Sequence, residues 1–279
     1  MDVNGVLMQA CDTKQEEAIA TDFSGGPSDQ KKSQEKIYSE KQLERLHRFR
    51  VPKHIAIIMD GNRRWAKRQG LPPMAGHLQG AETLAKIVRA ASTLGIEVLT
   101  FYAFSTENWK RSPTEVKALM QLFNTLLVKK REQMLEEGVR FDVIGDVSKL
   151  PHALRKIVEE TIEITKEGKQ FNLVLALNYG GRDELRRAIS AIVDDCLAKK
   201  LSKEKITEEL IASYLDTARW EDPDLLIRTS GETRLSNFLL WQISYSEVCM
   251  KDVLWPDFSK EDLFETVLEY QKRERRKGQ

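Results

Sequence analysis

HIAIIMDGNRRW, residues 54–65, passes abruptly from apolar to polar chemistry. Ile55 to Met59 read as a short buried strand, β-branched apart from Ala56 and Met59. Asp60, Gly61 and Asn62 are turn formers and end it. Arg63, Arg64 and Trp65 follow in a segment that can start a helix. A buried strand that delivers a carboxylate, a permissive glycine and two guanidiniums to one sheet edge suits a phosphate-bearing, metal-bound ligand.

Outward from this stretch, strands and helices alternate. An amphipathic helix is expected from about Gly76 to Leu94, with Leu84, Ile87, Val88 and Ala91 on one face and Gly95 as its cap. Val98 to Phe104 reads as the second strand, and Pro113 as the first residue of a helix with Val116, Leu119, Met120, Phe123, Leu126 and Leu127 on a broad apolar face. Gly138 closes that helix, and Val139 to Ile144 is a third strand. Further helices are expected near 151–166, 182–198, 203–215 and 260–277, with strands at 171–178 and 225–228. Residues 236–250 read as a mixture of helix and edge strand. Regular alternation predicts an α/β fold: a single domain, 37–279, with a mostly parallel central sheet flanked by helices. Residues 1–36 are polar, small-residue rich and aperiodic, and are expected to be a disordered extension.

The 279 residues carry 44 Lys+Arg against 43 Asp+Glu, a net charge of +1 that points away from nucleic acid as a partner. Cys11, Cys196 and Cys249 form no CxxC pair, and four histidines make a zinc site improbable on composition. No apolar run approaches membrane-spanning length, and the start lacks a signal peptide's basic and apolar regions. The expectation is a cytoplasmic protein.

Polar residues cluster just after four strands: Asp60 to Trp65, Ser105 to Arg111, Asn178 to Arg182, and Arg228 to Ser236. In parallel sheets ligands sit beyond the carboxyl ends of the strands, so four such clusters in phase predict an anion-binding cleft. Each residue also has a plainer explanation. Asp60 could only cap a helix, His77 could be structural, and an isolated arginine is usually solvated. Trp65 and Trp109 suit packing or pocket walls, and Asp194-Asp195 lies mid-helix on what reads as a solvated face. The GxxxxGK[ST] loop, the GxGxxG fingerprint and the GxSxG elbow are all absent, which disfavours the common NTPase, dinucleotide and hydrolase folds.

The blocks HIAIIMDGNRRWAK, GH at 76–77, LTFYAFSTENWKR, ALNYGGR, DLLIRTSGETRLSNFLLWQISYSE and VLWPDF resemble the cis-prenyltransferases, above all the bacterial undecaprenyl diphosphate synthases. The resemblance spans roughly residues 50–278. It implies an apolar product tunnel, a homodimer, Mg2+ as cofactor, and successive condensation of isopentenyl diphosphate onto an allylic diphosphate such as farnesyl diphosphate. It further implies a long-chain product such as undecaprenyl diphosphate, the lipid carrier of cell-wall synthesis, and peripheral contact at the inner face of the membrane for product release. The alternatives are a non-catalytic subunit of a heteromeric transferase, a shorter-chain cis-prenyl diphosphate synthase, and an unrelated phosphate-ester hydrolase.

Carried over position by position, the resemblance gives Asp60 to Mg2+ and catalysis, with Glu247 as a second acidic group at the metal. Gly61, Asn62, Arg64 and His77 fall to the allylic diphosphate subsite, and Arg63 and Trp65 are expected to bind substrate beside them without being carried over. Arg228, Arg234 and Ser236 anchor the isopentenyl diphosphate. Ser105, Thr106, Glu107, Asn108, Trp109 and Arg111 form the loop over the reacting centres, with Asn108 catalytic. Arg276-Lys277-Gly278 resembles a tail that reaches a partner's site. Two departures stand out: Pro73 replaces an arginine of many relatives, for which Arg63 is expected to compensate, and Thr233 replaces a histidine near the metal.

Overall fold

Among the described residues, six strands form one sheet in the order β3-β4-β2-β1-β5-β6, and every neighbouring pair is parallel. They are β1 (His54–Ile58), β2 (Val98–Ser105), β3 (Val139–Ile144), β4 (Phe171–Tyr179), β5 (Leu225–Arg228) and β6 (Glu247–Met250). The α-helices of the described residues are α1 (Glu40–His47), α2 (Asn62–Arg68), α3 (Pro73–Thr93), α4 (Pro113–Glu136), α5 (His152–Thr165), α6 (Gly181–Leu197), α7 (Glu208–Ser213) and α8 (Lys260–Gln271). The computed structural model describes residues 36–47 and 51–273. The expected polar extension up to residue 35, Cys11 and the 276–278 tail lie outside them.

β1 occupies the middle of the sheet, and all five of its residues are buried. Ile55 and Ile57 enter the core on one face, while Ala56 and Ile58 enter the core on the other. Burial on both faces explains why the strand reads as a continuous apolar run rather than an alternation. Glu247–Met250 resolves the ambiguous segment as a short parallel edge strand, paired among the described residues only to β5. The long third helix starts at Pro73 rather than Gly76, because proline fits the first turn, where no N–H bond is lost.

Local signals set the elements that frame the strand ends. Gly61 takes φ +108, and a Cβ there would meet Leu254 at 2.9 Å, so the turn out of β1 requires glycine. Ser112 Oγ accepts from Glu115 N–H and caps α4, with Pro113 behind it. The β2–β4 pairing slips around Ala103, between Tyr102 and Phe104, a bulge beside the site of interest.

Candidate active site

The carboxyl ends of β1, β2 and β5 open into a cleft of about 580 Å³ lined by Asp60, Asn62, His77, Ser105, Glu107, Asn108, Arg111, Arg228, Arg234 and Ser236. Its centre is an ion-paired triad. Asp60 Oδ2 accepts from Arg228 Nη2 at 2.7 Å, and Asp60 Oδ1 accepts from Arg64 Nη2 at 3.3 Å. Arg228 is only 3% exposed, yet its Nη1 also donates to Ser236 Oγ at 2.8 Å and to the Arg234 carbonyl. Arg64 reaches across to Ser230 Oγ at 2.5 Å and ion-pairs Glu232 at 3.2 Å. Glu232 in turn pairs with Arg234. Thr229 Oγ1 donates to the Asp60 carbonyl at 2.7 Å and ties the two strand ends together.

Burial alone would push the Asp60 carboxyl up, but hydrogen bonds and charge from Arg228 and Arg64 outweigh it and hold the group below its ordinary range. Asp60 is therefore ionised at neutral pH. Burial, with Arg111 and Arg63 nearby, lowers His77 to about 4, so its imidazole is neutral. His77 Nε2 is buried with no hydrogen-bond partner among the described residues. Ser230, Ser236, Asn237 and Asn178 take φ of 77, 51, 63 and 48, a concentration of left-handed backbone around one cleft.

The loop after β2 is a 3-10 turn, Thr106–Lys110, held by a capping box in which Ser105 N–H donates to Asn108 Oδ1 at 3.1 Å. Asn237 Nδ2 donates to Glu107 at 3.0 Å and, after the upward push of burial, helps hold that carboxyl low. Trp109 donates to Asn178 Oδ1 at 2.7 Å and stands edge-on to Phe104. On the rim, Glu115 lies 3.2 Å from Arg111 and 4.0 Å from Arg63, whose side chain is 60% exposed. Beneath the cleft, Asn62 packs on α3 so tightly that a Cβ at Gly80 would fall 2.3 Å from its Oδ1.

A second, apolar cavity of about 150 Å³ continues from Met59, Asn62 and His77 between α3, α4 and the sheet. Leu84, Val88, Ala103, Phe123 and Phe141 line its length. Ala103, at the β2 bulge, faces both spaces.

Not every residue singled out from the sequence meets the cleft. Trp65 donates its indole N–H to Asp257 at 2.7 Å, and Thr106 bonds its neighbour Glu107. Gly61 supplies the turn and Arg63 the rim. Glu247 is not brought to Asp60 within the chain. It pairs in register with Leu225 at the entering end of β6, while Asp60 follows the exit end of β1, and it ion-pairs Arg273 at 2.8 Å. Glu232 bridges two cleft arginines, yet sequence reasoning gave it no role. Its place in the Arg228–Ser236 run was the one signal for it. Asp195 bonds Lys200 and Tyr214, as a structural residue would. Among the described residues no group of three His, Cys, Asp or Glu side chains gathers for a metal.

The family model described as "Putative undecaprenyl diphosphate synthase" matches residues 58–278. The chain is 49% identical over 232 residues to an isoprenyl transferase of Chlamydia trachomatis, covering 82% of this chain and 92% of that protein. It is 48% identical over 229 residues to one of Clostridium perfringens, at 82% and 90% coverage. Among solved structures, lavandulyl diphosphate synthase from Lavandula x intermedia, in complex with dimethylallyl diphosphate, superposes with a TM-score of 0.80 at 35% identity, covering 82% of this chain and 99% of that one. A probable undecaprenyl diphosphate synthase from Campylobacter jejuni gives 0.70 at 34% identity, covering 82% and 100%.

Proposed function

Because this chain belongs to the cis-prenyltransferase family and is an enzyme of the undecaprenyl diphosphate synthase type, we propose that it adds isopentenyl diphosphate repeatedly to farnesyl diphosphate. The polyprenyl diphosphate so made would be a long one such as undecaprenyl diphosphate, the cell-wall lipid carrier. The observation that carries this reading is the junction of the two spaces: a cleft built of arginines around one ionised carboxylate opens directly into an apolar cavity. A diphosphate joined to a hydrocarbon chain needs that pairing.

In this reading Arg64, His77 and the Gly61–Asn62 turn receive the allylic diphosphate, while Arg228, Arg234 and Ser236 hold the isopentenyl diphosphate. The donor chemistry suits Mg2+, which takes one or two carboxylates and completes its shell with phosphate and water. Asp60 would hold it, being ionised and 27% exposed. When bound, the metal neutralises charge on the departing diphosphate. As the allylic C1–O bond breaks, the isopentenyl double bond attacks C1, and C2 then loses a proton to the released diphosphate or to a water. The guanidiniums stabilise the developing diphosphate charge from fixed positions, at no cost of reorganisation. Neutral His77 can offer a hydrogen bond without adding charge. Asn108, fixed by Ser105, orders the loop above the reacting carbons.

The apolar cavity would serve as the product tunnel. Its free volume matches one that holds a single benzene-sized group, so its walls must part as the chain grows. Each added unit gains roughly 25 cal/mol per Å² of apolar surface buried, which favours retention. A homodimer is part of the proposal, supported by a stripe on α6 where Ile189, Val193 and Leu197 are 58%, 49% and 77% exposed. So is peripheral membrane contact for so apolar a product. No helix among the described residues is long and apolar enough to cross a membrane.

The direct test combines purified protein, Mg2+, farnesyl diphosphate and labelled isopentenyl diphosphate, with products sized by chromatography. Label should enter a ladder of extracted prenyl products. A protein that releases phosphate without elongation is a hydrolase, and one inert alone but active with a second chain is a heteromeric subunit.

A further inference from the structure

We propose that Asn237 is a positioning residue that couples the isopentenyl diphosphate anchors to the loop over the reacting centres, an inference that rests on the prenyl-transfer reading above. Asn237 follows Ser236 directly and lines the same cleft as Glu107, Asn108 and Arg111. Its side chain joins two elements. Oδ1 accepts from the Arg182 N–H at 2.9 Å, at the start of α6, and Nδ2 donates to Glu107 Oε1 at 3.0 Å, in the loop after β2. Its own carbonyl accepts from the Gly181 N–H at 2.7 Å. The segments that follow β2, β4 and β5 thus meet at one residue. The junction is tight: a Cβ at Gly180 would lie 2.7 Å from Asn237 Nδ2 and 2.7 Å from Thr106 Oγ1.

The anchor side of this junction is held from below. Ser236, Asn237 and Leu239 take φ of 51, 63 and 44. Left-handed backbone at residues with side chains persists only where the surroundings fix it. Here the Tyr102 hydroxyl donates to the Ser236 carbonyl at 3.3 Å, and the Tyr102 ring stacks on fully buried Phe238 with centroids 4.4 Å apart. Tyr179 stands edge-on to the same Phe238 at 6.0 Å. The sheet therefore sets the backbone at 236–238, and the Asn237 amide carries that setting outward to Glu107. A ligand that steadies Ser236 steadies the amide, and through it the loop bearing Asn108 and Arg111. Linkage makes the effect reciprocal, so an ordered loop raises affinity at Ser236. None of these contacts involves Arg64 or His77, so the allylic diphosphate stays outside the coupling.

Hydrogen exchange separates the coupling from the chemistry. Isopentenyl diphosphate and Mg2+, with no allylic substrate to react, are added to wild type, Asn237→Gly, Asn237→Asp and the double variant Asn237→Asp/Glu107→Gln. Glycine keeps the left-handed backbone and the carbonyl bond to Gly181 but removes both side-chain bonds. Aspartate keeps an acceptor for the Arg182 N–H and sets a second carboxylate against Glu107. The double variant restores the bond with donor and acceptor exchanged. Isopentenyl diphosphate should slow exchange over residues 105–111 in wild type and the double variant, and in neither single variant. With farnesyl diphosphate added, both single variants should raise the KM for isopentenyl diphosphate about three- to tenfold, the scale of one net hydrogen bond. The KM for farnesyl diphosphate should stay as in wild type, and the double variant should recover most of the loss. Equal protection of 105–111 in an elongating wild type and Asn237→Gly, or a double variant no better than Asn237→Asp, would overturn the coupling. Absence of elongation by the wild type would instead overturn the reading on which it rests.

Discussion

At the scale of single residues, the cleft turns on Asp60, the carboxylate that both Arg228 and Arg64 face. Asp60→Ala should reduce turnover by about 10²-fold or more, as loss of a fixed electrostatic group in a reaction centre does. Stability should fall only about 1–3 kcal/mol, since Arg228 keeps Ser236 and the Arg234 carbonyl as acceptors. Steady-state kinetics beside urea unfolding would check both, and near-normal turnover would remove Asp60 from the mechanism. Arg63 is the other informative residue. Its guanidinium shares Glu115 with Arg111 and lies close enough to His77 to depress it. If it replaces the arginine absent at Pro73, Arg63→Ala should raise the KM for the allylic substrate several-fold with little change for isopentenyl diphosphate. Equal KM values in variant and wild type would end that idea. Most residues of this cleft were legible because they occupy short runs directly after strands. Asn178 as the partner of Trp109, and Glu232 as a bridge between two arginines, were not. Those contacts are made through space, and no local spacing encodes them. Glu247 belongs to a recognisable block, but a strand's direction decides which end of the sheet a residue meets, and within the chain that end is not the one at Asp60.

Elements explain the placement of these groups better than single residues do. β1 and β2 are joined by His54, whose ring bonds the Glu221 carbonyl at 2.6 Å and Thr100 Oγ1 at 2.8 Å. Burial lowers His54 to about 4, against the partial upward pull of the Glu221 carbonyl and Asp224. The unfolded chain, near 6.5, then binds more protons than the native one between those two values. His54 therefore costs nothing above pH 6.5, and stability should fall as pH drops from 6.5 towards 4, by about 3 kcal/mol in all. Unfolding free energies at pH 7 and 4.5 should differ less in His54→Gln than in wild type, and an undiminished difference would assign the acid loss elsewhere. Both flanking helices of the cavity were readable from apolar periodicity, and α4 also from its proline start, whereas the start of α3 at Pro73 was not. The β2 bulge at Ala103 was not, because a slip in register leaves no mark on composition.

For the whole molecule, the parallel sheet was legible because each strand is a short apolar run followed by a turn and a helix. The edge strand β6 was obscured by its four-residue length and by mixed polarity. The α6 stripe carries a prediction at this scale. If the proposed homodimer uses this stripe, Val193→Lys should shift sedimentation towards the monomer, and an unaltered profile would remove the stripe from the proposal. The strand order has a further consequence, in time rather than space. β1 is made early, but β5, its neighbour on one side, begins only at Leu225. At about 5–20 residues per second, a ribosome needs roughly 10–30 s to close that gap. Throughout that interval one edge of the most apolar strand has no mate, while Asp60 waits for Arg228. Nascent chains stalled before residue 225 should therefore bind chaperones and yield to protease, and complete chains, with Trp255 and the apolar face of α8 in the core, should resist it. Protection appearing already at residue 200 would show that the unpaired edge is covered in some other way during synthesis.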